Sequence, residues 1–319
     1  MRHEPVIVGV TVCLVLAIAG QAGAQSWRPP DPRERCPSRW GAEDERGAAN
    51  HMKPETVLRA VRAIRTGEIV ELGRELTADI PLVPGRVFDL VTKRTTGPVG
   101  TNRRFSNEEI VVTELAQVGT QLDMFSHQGM DGLFYNCVPI VEAATRTGFR
   151  KLGVEKVGAL FTRGVLVDIA ALKGVETLPV AHEISVSEIE AALARQQLSL
   201  QPGDAVLVHT GWGRHWGVDN AKYAASAPGI GVAAAEWLAT QDVMLIGSDT
   251  GPVEILPNPD TRVDLPVHQI ALVVNGIFLL ENLRLDELAA ARAYEFAFVV
   301  QPLKIRGGTG STVAPIAVR

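Results

Sequence analysis

Between positions 54 and 65 the apolar residues recur on one side of a 3.6-residue repeat: Val57, Leu58, Val61 and Ile64 fall at i, i+1, i+4 and i+7. That spacing predicts a helix, with Pro54 suited to the first turn and Gly67 ending it. The period then changes. Residues 68–76 read as a strand and 109–115 as another. The stretch 77–107 reads as a long loop, punctuated by Pro81, Pro84, Gly85, Gly97, Pro98 and Gly100. A loop of that length is often a lid or binding loop.

Farther along, short apolar runs at 165–169, 205–208, 243–247, 277–280 and 294–300 predict buried strands. Helices are predicted between them. Ser185-x-x-Glu188 is a capping box opening a helix that carries Ile189, Ala192 and Leu193. Residues 231–240 and 267–274 predict two more. Strands alternating with helices, without internal repeats, place the chain in the α/β or α+β class. No stretch from 54 to 319 resembles a linker, so one domain is expected over 25–319. Its first part, 25–50, is rich in Pro, Arg, Glu and Gly and reads as an extended arm.

The first 24 residues follow a different pattern. Arg2 precedes an apolar run at 6–20, and Ala22-Gly23-Ala24 supplies the small-x-small motif of a signal-peptidase site. The run is shorter than the roughly 20 residues a bilayer span needs. Export to the periplasm or outside the cell is therefore expected, with no stable membrane association after cleavage; an uncleaved anchor is the alternative. Cleavage removes Cys13 and leaves Cys36 and Cys137, 101 positions apart. These could pair in an oxidising compartment, or both stay free and buried.

Composition narrows the chemistry. The chain has 319 residues, 46% of them hydrophobic, and a formal net charge of -5. With no run of five or six like charges, a nucleic-acid partner is not expected. There is no Cys-x-x-Cys pair for a thiolate zinc site, no P-loop, no helical His-Glu-x-x-His and no Gly-x-Ser-x-Gly elbow.

The polar groups that remain concentrate at 117–127. In a strand, Gln117, Gly119, Gln121 and Asp123 share a face, while Leu122 and Met124 point into a core. Two readings fit this alternation: a pocket wall with Gly119 leaving space, or a half-exposed antiparallel strand.

The segment Gln117-x-Gly119-Thr120-Gln121-x-Asp123-x-x-x-His127 resembles the signature of the cyclase family that includes bacterial kynurenine formamidase, His-x-Gly-Thr-His-x-Asp-x-Pro-x-His. Arg39-Trp40-Gly41-Ala42-Glu43-Asp44, residues 163–168, Pro202-Gly203-Asp204, His209-Thr210-Gly211-Trp212 and residues 246–250 resemble other stretches of a longer branch. The resemblance implies a single-domain α/β fold, with a mixed β-sheet or barrel-like core flanked by helices, in a homo-oligomer. It also implies one or two divalent metals. By position Asp123, His268 and Glu281 match metal ligands, and His127 is expected to be the catalytic acid–base. Gln121 and Gln117 stand where the formamidases have metal-binding histidines. An amide oxygen is a weaker ligand than imidazole, so the set tilts from zinc toward manganese.

The implied activity is metal-dependent hydrolysis of a small amide, lactone or ester, similar to arylformamidase. A lactone or cyclic-imide hydrolase is one alternative, and a metal-free periplasmic small-molecule binding protein on the same scaffold is another. Phe125, Trp212, His209 and Asp249 are the expected substrate contacts.

Overall fold

Runs of Val, Leu and Ile flanked by turn residues form buried strands where other strands or helices cover both of their faces. In the computed structural model, which describes residues 26–319, most of these runs lie side by side in one nine-stranded sheet. The export signal expected at 1–24 lies outside the described residues.

The strands of the main sheet are β1 (Ile69–Glu71), β4 (Gln121–Asp123), β5 (Leu160–Asp168), β6 (Ala205–His209), β7 (Leu245–Ser248), β8 (Phe278–Glu281), β9 (Glu295–Val300), β10 (Gly310–Thr312) and β11 (Ile316–Val318). The two numbers skipped, β2 (Phe88–Val99) and β3 (Arg104–Thr113), form a separate hairpin. The spatial order is β1-β11-β9-β5-β6-β7-β8-β4-β10. The central four run parallel and every other pairing is antiparallel. The sheet is mixed, curls strongly into a half-barrel and is flanked by helices, as the family resemblance implied. Every residue of β6, β7 and β8 is buried. Helices α1 (Pro54–Arg62), α2 (Val186–Gln196) and α3 (Val232–Thr240) fall where the periodicity and the capping box put them.

Two expectations need correction. The stretch 77–107 is not a continuous loop, because most of it belongs to the β2–β3 hairpin. Gly97 and Pro98 read as loop signals, but a two-stranded ribbon exposed on both faces tolerates them. Its ladder also shifts register between Arg94 and Thr96 and again between Thr96 and Val99. The arm at 25–50 is likewise not extended throughout. It carries a short helix, Pro32–Arg35, and a disulfide joins Cys36 to Cys137. Asn136 pins it further, accepting from the Ser38 N–H and donating to the carbonyls of Gly41 and Ala42.

The parallel centre is tied by a buried ion pair. Asp204, fully buried just before β6, accepts from Arg163 Nη1 on β5 at 2.9 Å and from Arg59 Nη2 on α1 at 3.3 Å. Removing the acid leaves the buried Arg163 guanidinium with Glu295, 2.6 Å from its Nε, as the remaining carboxylate. Asp204→Ala is expected to cost about 2–3 kcal/mol in urea unfolding; a loss below about 1 kcal/mol would show that the pair does not tie the strands.

Candidate metal centre and active site

Strand β4 lies between β8 and β10, antiparallel to both, and its register sets Gln121 directly opposite Glu281. Opposed residues of an antiparallel pair share a face. Accordingly Gln121 Nε2 donates to Glu281 Oε2 at 2.7 Å. Asp123, two residues on, points the same way. Only three residues here are strand, so Gln117 does not share a β face with them as the alternation suggested. It reaches the site through a turn, in which Gly119 has φ +70°. A Cβ at Gly119 would also lie 2.2 Å from Leu76 Cδ2, so a larger residue would have to push the end of that side chain aside. From the turn, Gln117 Nε2 donates to Asp123 Oδ1 at 3.1 Å.

Asp123 is fully buried, and its second oxygen, Oδ2, has no hydrogen-bond partner. That oxygen faces His268 Nε2 at 3.8 Å and His127 Nε2 at 4.0 Å. These separations are too long for hydrogen bonds. They suit atoms that share a cation, since two ligands about 2.1 Å from one ion stand roughly 3.4 Å apart. Among the described residues, Asp123, His127 and His268 form one group whose ligand atoms all lie within 4.8 Å of one another. Gln121 Oε1 is a second buried oxygen without a partner. Two orphaned oxygens beside two imidazoles form a donor set that a divalent cation fits.

His268 sits in a first helical turn, Pro266–His268, that continues as a π-helix, Gln269–Asn275. The ring is held at both ends. Nδ1 lies 2.6 Å from Glu254 Oε1, and Nε2 lies 3.2 Å from Glu281 Oε1. Glu254 is fully buried and also accepts the backbone N–H groups of Val267 and His268. One carboxylate therefore caps the helix and aims the imidazole, the arrangement that fixes which nitrogen a metal ligand presents. Sequence reasoning missed Glu254. It stands 14 positions before His268, outside helix and strand, with no local motif to single it out.

The charge balance is uneven. Burial pushes the Asp123 carboxyl up to about 6; His127 and His268 oppose this, and Glu281 adds to it. Burial holds the His127 imidazole below its ordinary range. Burial also opposes charge on His268, but Glu254 and Glu281 outweigh it and raise that imidazole well above its usual value. The carboxylates thus demand a positive charge at the cluster.

A cavity of about 320 Å³ opens over this group. Gln117, Gln121, His127, His268 and Glu281 line its floor, and Pro81, Val83, Leu256 and Leu265 supply apolar wall. That volume and mixed lining suit a small molecule. Pro81 and Val83 come from the stretch before the hairpin, so that part of 77–107 forms cavity wall.

None of the four expected substrate contacts lines the cavity. Phe125 is wholly buried, stacked on Phe278 at 4.7 Å and tilted against Tyr135. Trp212 is buried too, with its indole N–H directed at the Tyr223 carbonyl. In both, the gain from burying a large ring decides the position. Asp249 is used internally, accepting from the backbone N–H groups of Thr210 and Gly213 and from the Thr210 hydroxyl. His209 belongs to a separate cluster, with Nδ1 2.8 Å from Asp168 and Nε2 near Asp286 and Asp249. Burial alone would lower its pKa, but the carboxylates raise it to about 10.

Residues 70–255 match the family model described as "Putative cyclase". No curated protein matches the chain. A crystal structure described as a novel cyclase superposes with a TM-score of 0.83 at 31% identity, covering 91% of this chain and 99% of the other. Isatin hydrolase A from Ralstonia solanacearum aligns with a TM-score of 0.58 at 20% identity, over 78% of this chain and 91% of its own. The same enzyme from Labrenzia aggregata gives 0.57 at 20%, over 81% and 94%. The two isatin hydrolases share the fold with this chain.

Two outcomes follow from the geometry. Glu254→Gln keeps an acceptor for His268 Nδ1 but loses one of the two oxygens that hold the helix start. Affinity for manganese or zinc, measured calorimetrically, is expected to fall about 10–100-fold; unchanged affinity would remove Glu254 from the site. The second outcome concerns His209. Its folded pKa of about 10 exceeds the unfolded value of roughly 6.5, so its stabilisation is complete below 6.5 and is lost as pH rises through 10. Asp168, which His209 holds below the carboxylate range against the effect of burial, acts oppositely. Its contribution is present above roughly 3.9 and is lost on acidification through its folded pKa. Denaturant stability is expected to decline between pH 7 and 10, and His209→Gln should flatten that decline.

Proposed function

Because this chain belongs to the cyclase family, we propose that it is a metal-dependent hydrolase of a small amide, lactone or ester. The observation that carries the reading is Asp123 Oδ2, an oxygen buried without a partner that faces two imidazole nitrogens. Asp123, His127 and His268 would hold the cation, with Gln121 Oε1 and Glu281 beside them. Manganese suits this oxygen-rich set, and zinc is the alternative. When bound, the cation supplies Lewis acidity to the substrate carbonyl and brings the pKa of water from 15.7 toward roughly 7.

The chain's own residues divide the remaining work. The expected acid–base His127 has its Nε2 among the ligand atoms, so proton transfer passes to Glu281. That carboxylate lines the cavity and touches His268. Gln121 and Gln117, in place of the formamidase histidines, donate to Glu281 and Asp123 and fix both carboxylates. Pro81, Val83, Leu256 and Leu265 exclude water from the reacting carbonyl. The isatin hydrolase neighbours favour a cyclic amide or imide within the substrate class. We further propose a periplasmic or secreted protein; the Cys36–Cys137 disulfide supports an oxidising compartment.

Elemental analysis joined to a hydrolysis screen over formanilides, lactones and cyclic imides tests the reading. Asp123→Ala is expected to lose metal and turnover together. His127→Ala is expected to lose metal as well; full metal content with turnover abolished would return His127 to the acid–base role. Wild-type protein that holds less than a stoichiometric fraction of metal, and stays inert with added manganese or zinc, would leave a binding protein instead of an enzyme.

A further inference from the structure

The segment between β1 and the hairpin contains no strand, yet one of its side chains is held firmly over the cavity. Val83-Pro84-Gly85-Arg86 forms a turn, closed by the Arg86 N–H donating to the Val83 carbonyl at 3.1 Å. Proline in the second position and Gly85 in the third, with φ +93°, suit a turn that wants a left-handed residue there. Just beyond it, the Val87 N–H donates to the Glu114 carboxylate at 2.9 Å. The Arg86 backbone is thus fixed on both sides. Its side chain is fixed as well, with Nη1 donating to the Gln117 carbonyl at 3.1 Å.

What Arg86 lacks is a counter-ion. Among the described residues no carboxylate lies within ion-pair distance of it, and the Gln117 carbonyl is its side chain's one acceptor. A guanidinium has five N–H donors in a planar fork that matches a carboxylate. Arg86 is half-buried, and no other arginine or lysine lines the cavity. Two acids line it. Glu281 belongs to the metal cluster, and Asp264 is exposed, where water and salt screen it. Burial chiefly holds the His127 imidazole low, and His268 and Arg86 add to it, so the guanidinium is within Coulombic reach of the cluster.

We propose, resting on the hydrolase reading above, that Arg86 selects the substrate by pairing with a carboxylate on the side away from the carbonyl that is cleaved. Gln117 sets the spacing between the two ends. Its carbonyl accepts from Arg86, while its Nε2 donates to Asp123 Oδ1 at 3.1 Å, so the guanidinium stands one glutamine side chain from the cluster. A small acid spans that interval, with its body against Pro81, Val83, Leu256 and Leu265. A neutral substrate leaves the guanidinium unpaired in a half-buried site, which costs binding. The substrate class therefore narrows to amides, lactones or imides that carry a carboxylate.

Calorimetric binding of meta- and para-carbamoylbenzoate, each set against benzamide, tests this on the protein as purified and without turnover. The acids differ from benzamide only by the added carboxylate. Wild type is expected to bind at least one of them about tenfold or more tightly than benzamide. That advantage should vanish in Arg86→Met and return in part in Arg86→Lys, which keeps the charge but not the planar fork. A merely structural Arg86 would weaken acid and amide alike and leave their ratio in place. Equal binding by wild type, or an advantage that survives Arg86→Met, overturns the inference. The hydrolase reading fails separately. Metal-dependent turnover of formanilide with no preference for meta- or para-formamidobenzoate would keep the hydrolase and remove Arg86. An inert, metal-free protein that retains the Arg86-dependent preference would do the reverse.

Discussion

Three carboxylates, Asp123, Glu254 and Glu281, are buried around one imidazole, and charge of one sign cannot stay uncompensated in a protein interior. His268 supplies part of the balance, with Glu254 on one ring nitrogen and Glu281 on the other; a cation taken up at Nε2 would replace the proton there. The rest of the cluster is arranged around that need. The two glutamines donate amide hydrogens to Asp123 and Glu281, which neutralises nothing but fixes where the negative charge points. The free oxygen of Asp123 is left where a cation would complete the balance.

The fold brings these groups together from distant parts of the chain. β4 contributes Gln121 and Asp123, β8 contributes Glu281, and the helical turn before β8 contributes His268. Their alignment rests on the antiparallel register between β4 and β8. A slip of one residue would turn Gln121 and Asp123 into the core and bring Leu122 to the site. Thr120 guards against this, donating its hydroxyl to the Asn282 carbonyl and accepting the Arg74 N–H. The part of the signature outside the cluster thus holds the part that faces it.

Much of this was legible in the chain. Helices with a cap or an apolar stripe, and strands with continuous aliphatic runs, carry local signals, and they occur where those signals put them. Asp123, His127, His268 and Glu281 were reached through the family resemblance, because no local pattern links positions more than 140 apart. Glu254 was missed because its role is purely tertiary: a loop carboxylate becomes meaningful only once a helix start is packed against it. Phe125 and Trp212 were misplaced for the converse reason. Proximity in sequence to polar site residues says nothing about which way an aromatic ring turns, and burial decided both. The hairpin was obscured because a ribbon without a buried face lacks the alternation by which strands are recognised.

The disulfide between Cys36 and Cys137 closes a ring of chain that contains the hairpin, β4 and His127. Everything projecting into solvent from the exposed hairpin lies inside that ring. A backbone cut at the hairpin's tip would open the loop without producing two molecules, because the Cys36–Cys137 bond would keep the N-terminal piece joined to the piece that carries Asp123 and His127. The ribbon's own integrity is therefore not what keeps the candidate metal cluster joined to the rest of the chain.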